Sequence, residues 1–86
     1  DVLFAAIDGK PIGKMLNSLE DIANRFFVTT FDFPKALPID TIYESVEHSH
    51  IEKVKNYREF IESYQGDLLI ITGSLYFISE VRKLLV

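Results

Sequence analysis

Three short polar stretches hold the residues of this chain that could do chemistry. Thr72-Gly73-Ser74 separates an apolar run at residues 68–71 from a segment with apolar residues at helical spacing, residues 75–85. A glycine there lets the backbone turn sharply or approach a ligand closely. A serine just before a helix sits where an N-cap belongs, with its hydroxyl free for the first helix N–H groups or for a bound anion. By spacing alone a plain cap is the more ordinary reading of Ser74, and anion binding is the functional one. Asp8-Gly9-Lys10-Pro11 follows the first apolar run. Lys10 is either a cation for a phosphate or carboxylate, or a solvated loop lysine. Glu47-His48-Ser49-His50 places two histidines at i and i+2 with no assured third ligand. An exposed polar connection describes them better than a metal centre. No Ser-His-Asp or paired-carboxylate set can be assigned, so neither catalytic nor metal-ligating residues are expected. The G-x-x-x-x-G-K-[ST] and G-x-G-x-x-G loops that cradle phosphates are both absent.

The elements that must position these stretches alternate along the chain. Residues 2–7 form a continuous apolar run, which predicts a buried strand. Pro11 is placed to begin a helix. Ile12, Met15, Leu16, Leu19, Ile22, Ala23 and Phe26 then recur at helical spacing, with Lys14 on the polar side. Residues 26–30 are aromatic and β-branched and predict a second strand. Pro38 begins a short helix with Ile39, Ile42, Tyr43 and Val46 inward, and residues 51–54 are a third, poorly alternating strand. Asn56 and Glu59 have capping-box spacing, and Tyr57, Phe60, Ile61 and Tyr64 face the core. Gly66 is expected to end that helix as a left-handed cap. Residues 68–71 read as a fully buried strand, and the tyrosines and phenylalanines generally as core.

This order predicts an α/β fold: a three-layer, Rossmann-like domain with a mainly parallel sheet and helical crossovers. In such sheets ligands bind at the carboxyl ends of the strands, which is where Thr72-Gly73-Ser74 falls. The turn containing Lys10 should share that end of the sheet.

The 86 residues suffice for one small domain. Hydrophobic residues make up 48% and charged residues 26%, which fits a globular protein and not a disordered one. A net charge of −4 with scattered Lys and Arg argues against nucleic acid as the main partner. With no cysteine, disulfide frameworks and thiol chemistry are excluded, and a cytoplasmic setting is expected. No apolar run reaches the ~20 residues of a membrane span. The chain enters its first strand directly after Asp1, which reads as a fragment of a longer chain. Loss of upstream elements would bare a sheet edge and favour self-association.

Ile71-Thr72-Gly73-Ser74-Leu75-Tyr76, with Val81 and Arg82 beyond it, closely resembles the carboxyl-terminal segment of bacterial folylpolyglutamate synthases, also called dihydrofolate synthases, of the Mur ligase superfamily. There the pattern is V/I-T-G-S-L-Y, then V-R. Phe4-Ala5-Ala6-Ile7-Asp8-Gly9-Lys10-Pro11-Ile12 with Met15-Leu16 is similar to the family's F-G-A-L-K-D-K-D, hydrophobic, x-x-M-L. Pro34-Lys35-Ala36-Leu37 is similar to its P-R-A-L. Of the K-D-K-D charges only Lys10 is kept, and Lys35 stands for an arginine without its bidentate fork.

The resemblance implies that residues 1–86 are the glutamate-side domain of an ATP-dependent ligase. The amino-terminal ATPase domain, the D-x-A-H-N-P stretch and the domain's own first strand and helix would lie upstream. Mg-ATP would activate a folate carboxylate as an acyl phosphate, and the amine of L-glutamate would attack it. The cofactor would be bound mainly outside this chain. Ser74, with Gly73 and Thr72, would hold a glutamate carboxylate, Lys10 would lie nearby, and the fragment alone would be inactive. Two other readings stay open: a Mur-type ligase with another acceptor, or a stand-alone α/β binding or regulatory module.

Overall fold

Four consecutive apolar residues decide the architecture. In the computed structural model, which describes residues 1–9 and 11–85, the strand β1 (Val2–Ala5) is buried along its whole length. Side chains alternate across a strand, so an uninterrupted apolar run needs cover on both sides. Leu3 and Ala5 join one core cluster and Val2 and Phe4 join another. Each large side chain fully buried in this way contributes about 1.5–3 kcal/mol.

The remaining elements supply that cover in strict alternation. They are α1 (Ile12–Glu20), β2 (Phe26–Val28), α2 (Ile39–Ser45), β3 (Ile51–Lys53), α3 (Tyr57–Ser63), β4 (Ile70–Gly73) and α4 (Leu75–Leu85). The four strands form one parallel sheet in the order β3-β2-β1-β4. Leu16 of α1 and Ile42 of α2 pack with Val2, Phe4, Phe26 and Val28. Tyr57 of α3 and Phe77 and Val81 of α4 pack with Leu3, Ala5 and Phe27 on the other face. The result is a three-layer α/β, Rossmann-like fold. From β1 the chain first winds to β3, then α3 carries it back past β2 and β1 to β4. A return in the opposite direction with the same crossover hand requires the opposite face of the sheet. The winding therefore reverses between β1 and β4.

Local signals hold most of the boundaries. Asn56 Oδ1 accepts the Glu59 N–H at 3.2 Å and caps α3. Pro11 and Pro38 occupy the N-cap positions of α1 and α2. Thr29, fully buried after β2, donates its hydroxyl to the Val54 carbonyl at 2.7 Å and ties β2 to the end of β3.

Several expectations are corrected. The first strand ends at Ala5, and Ile7 instead makes an isolated antiparallel bridge to Ala36. Helix α1 stops at Glu20, so Ile22 is exposed and Phe26 opens β2. Gly66 does not adopt a left-handed conformation, which is confined to Gly9 and Gly73 among the described residues. What Gly66 provides is room, because a Cβ there would overlap the Tyr64 hydroxyl. That hydroxyl donates to Asp1 Oδ2 at 2.6 Å, as does Arg25. The run 68–71 is not fully buried: β4 is an edge strand, and Leu68 before it is 66% exposed.

The two sheet edges differ in chemistry. Edge strand β3 is three residues long and carries exposed Glu52 and Lys53. Lys53 Nζ lies 2.7 Å from Asp40 Oδ1, and that hydrogen bond holds its ammonium above the usual lysine range. Charge and shortness of this kind discourage edge-to-edge pairing. On β4 the residues Ile70, Ile71, Thr72 and Gly73 carry no charge.

Two outcomes follow for the isolated chain. Gly73 has φ +118°, and a Cβ there would overlap the Ala5 carbonyl oxygen, whereas Gly9 has φ +88° and open space around it. Chemical denaturation should show Gly73→Ala losing about 3 kcal/mol or more and Gly9→Ala only ~1 kcal/mol. Equal losses would refute the close β1–β4 approach. Sedimentation should show mass rising with concentration through the β4 edge, and Ile70→Lys should suppress that rise. A clean monomer at high concentration contradicts it.

Candidate functional site

The reversal between β1 and β4 opens a crevice at the carboxyl ends of both strands, the place where open α/β sheets bind ligands. Ala5 pairs with Gly73, so the segments leaving β1 and β4 emerge side by side. A cavity of about 800 Å³ lies there. Ala6, Ile7, Ile12, Lys14 and Met15 line it from the β1 and α1 side. Gly73, Ser74, Leu75, Tyr76 and Ser79 line it from the β4 and α4 side.

Gly73 makes the junction possible. With no side chain it sits against the Ala5 carbonyl, and the next N–H, that of Ser74, donates to the same oxygen at 3.0 Å. The strand thus turns into α4 across a single residue. Ser74 Oγ accepts the Tyr76 N–H at 3.1 Å, and the Ser74 carbonyl accepts the Ile78 N–H at 3.0 Å. The cap reading of Ser74 is therefore correct. It does not exhaust the residue, because a hydroxyl that accepts in a cap still has its own proton to donate. Half-buried on the cavity wall at a helix N-terminus, that donor suits an anion.

The other expected site residues fall differently. Thr72 pairs with Phe4 inside β4, and it is not part of the cavity wall. Lys10 lies outside the described residues. Its neighbours form the expected turn: Asp8 Oδ1 accepts the Gly9 N–H at 2.9 Å, and the Asp8 N–H donates to the Lys35 carbonyl at 2.7 Å. Lys14, read from periodicity as solvent-facing, is on the cavity rim. Helical period separates a core face from a polar face, and the flank of a helix facing a crevice belongs to neither. Tyr76 corrects the general expectation that the aromatics are core, being 56% exposed, and Leu75 beside it is 81% exposed.

The His48 ring links two backbone segments. His48 Nδ1 accepts the His50 N–H at 2.9 Å, and its Nε2 lies 2.7 Å from the Ala23 carbonyl, which fits the neutral Nε2–H form. Among the described residues, no three His, Cys, Asp or Glu side chains come together where a metal ion could sit. The sequence holds no phosphate-binding glycine loop either. A smaller hollow of about 470 Å³ lies elsewhere, between Arg25, Phe60 and Tyr64.

No family model and no solved structure matches this chain. Among curated proteins, it is 40% identical over 87 residues to the dihydrofolate synthase/folylpolyglutamate synthase of Bacillus subtilis (strain 168). The match takes in 95% of this chain and 20% of that relative's length. Across nearly its whole length the chain is thus related in sequence to the dihydrofolate synthase/folylpolyglutamate synthases, the family its motifs resemble.

Proposed function

We propose that this chain is the glutamate-side domain of an ATP-dependent ligase that joins L-glutamate to a folate. One observation carries the reading: the residues that resemble the family most closely, around Thr72-Gly73-Ser74, are those at the β1–β4 crevice. The relative's name supplies the chemistry, dihydrofolate and folylpolyglutamate synthesis. The bond made is an amide. A folate carboxylate activated as an acyl phosphate is attacked by the glutamate amine, and inorganic phosphate leaves.

This chain's own part is to hold the amino acid. The Ser74 hydroxyl and the amino end of α4 receive a glutamate carboxylate, which gains up to ~1–2 kcal/mol there in a partly buried setting. Gly73 lets the ligand and β1 come close, Thr72 anchors the turn in the sheet, and Lys10 adds positive charge. ATP is handled by other parts of a longer cytoplasmic enzyme, and these residues alone turn nothing over.

The test is kinetic and uses that longer enzyme. Ser74→Ala should raise the KM for glutamate about tenfold and leave the KM for ATP nearly unchanged. Equal effects on both, or none on either, would remove Ser74 from the glutamate site.

A further inference from the structure

The crevice is larger and more apolar than a glutamate carboxylate needs. Its volume of about 800 Å³ falls in the ~300–1,000 Å³ range of small-molecule sites. Beyond Ser74, its wall includes Ile7, Ile12, Met15, Leu75 and Tyr76. A column of rings ends at this wall. Phe31, buried in the core, stacks on Phe33 with centroids 5.6 Å apart and planes at 18°. Phe33 stacks on Tyr76 at 4.6 Å and 24°. Phe33 is not part of the cavity wall, but Tyr76 is, and Tyr76 is more than half exposed. The column therefore begins in the core and stops at the crevice with a ring held in place from behind.

We infer that Tyr76 is a stacking platform for a planar aromatic ring, which lies in the crevice beside the amino-acid subsite at Ser74. This rests on the reading of the crevice as the substrate site and adds a second subsite to it. An offset parallel ring extends the existing column in the geometry aromatic pairs prefer. Met15 adds a thioether, which packs well against ring edges. Because Phe33 already fixes the Tyr76 ring, little side-chain freedom is lost on binding.

Met15 is the chain's only methionine, so its methyl group is an unambiguous NMR reporter. The 86-residue chain is titrated separately with pterin-6-carboxylate, adenosine, cyclohexanecarboxylate and L-glutamate. The expected result is saturable millimolar binding of at least one of the two fused-ring probes, with upfield ring-current shifts at the Met15 methyl and Tyr76 ring. Which of the two binds identifies the source of the ring. Cyclohexanecarboxylate should leave both signals in place. Tyr76→Leu should weaken the binding about three- to tenfold, and Tyr76→Phe should keep it within about twofold. Tyr76→Phe should match the parent in thermal stability, and Tyr76→Leu should lose only the stack on Phe33 and keep the native amide spectrum elsewhere. Failure of both fused-ring probes to shift these signals overturns the inference, as does binding unchanged in Tyr76→Leu. The glutamate titration, read at the Ser74 and Leu75 amides, reports on the amino-acid subsite alone and separates the two failures.

Discussion

Everything at the candidate site depends on one backbone contact, the approach of Gly73 to the carbonyl of Ala5. A side chain at Gly73 would collide with that oxygen, and the residue's positive φ turns the chain from strand to helix across Ser74 alone. Through this contact the last turnable position of β4 is fixed against the end of β1. The amino end of α4, the Ser74 hydroxyl and the segment leading to α1 are thereby brought to one crevice. A longer connection would satisfy the topology equally well, but it would leave the helix terminus loosely aimed, and a site of this kind needs its donors fixed.

The contact is possible because β1 is central and apolar on both faces. Its burial draws two helices to each side and forces the reversal of winding that creates the crevice. The same plan leaves the molecule with unlike edges. The β3 edge is short, charged and braced by Lys53 with Asp40 and Tyr43. The β4 edge is apolar and uncharged along the very strand that leads to Ser74. The crevice and the uncharged edge are thus neighbours, joined in one four-residue strand.

Much of this was legible in the sequence. The order of the eight elements, the parallel sheet and the position of the Gly73–Ser74 junction follow from apolar runs, turn residues and capping patterns, and the structure has all three. What was not legible depends on which strand neighbours which. An apolar run such as 68–71 looks the same in a central strand and at an edge, and only the strand order shows that β4 has one partner. Gly66 has the sequence signature of a helix cap, yet what it gives is room for the Tyr64 hydroxyl, whose place is set by Asp1 at the far end of the chain. Lys14 is exposed, as its helical period predicts, whereas Tyr76 is not core, and the period of a helix does not show that either position borders a crevice.

The central claim is that a glutamate carboxylate sits at the amino end of α4. A crystal structure of the longer enzyme bound to L-glutamate tests it most directly. The account predicts a carboxylate oxygen within about 3 Å of both Ser74 Oγ and a backbone N–H of the first turn of α4. Glutamate bound with its carboxylates elsewhere, making no contact with residues 73–76, would contradict it.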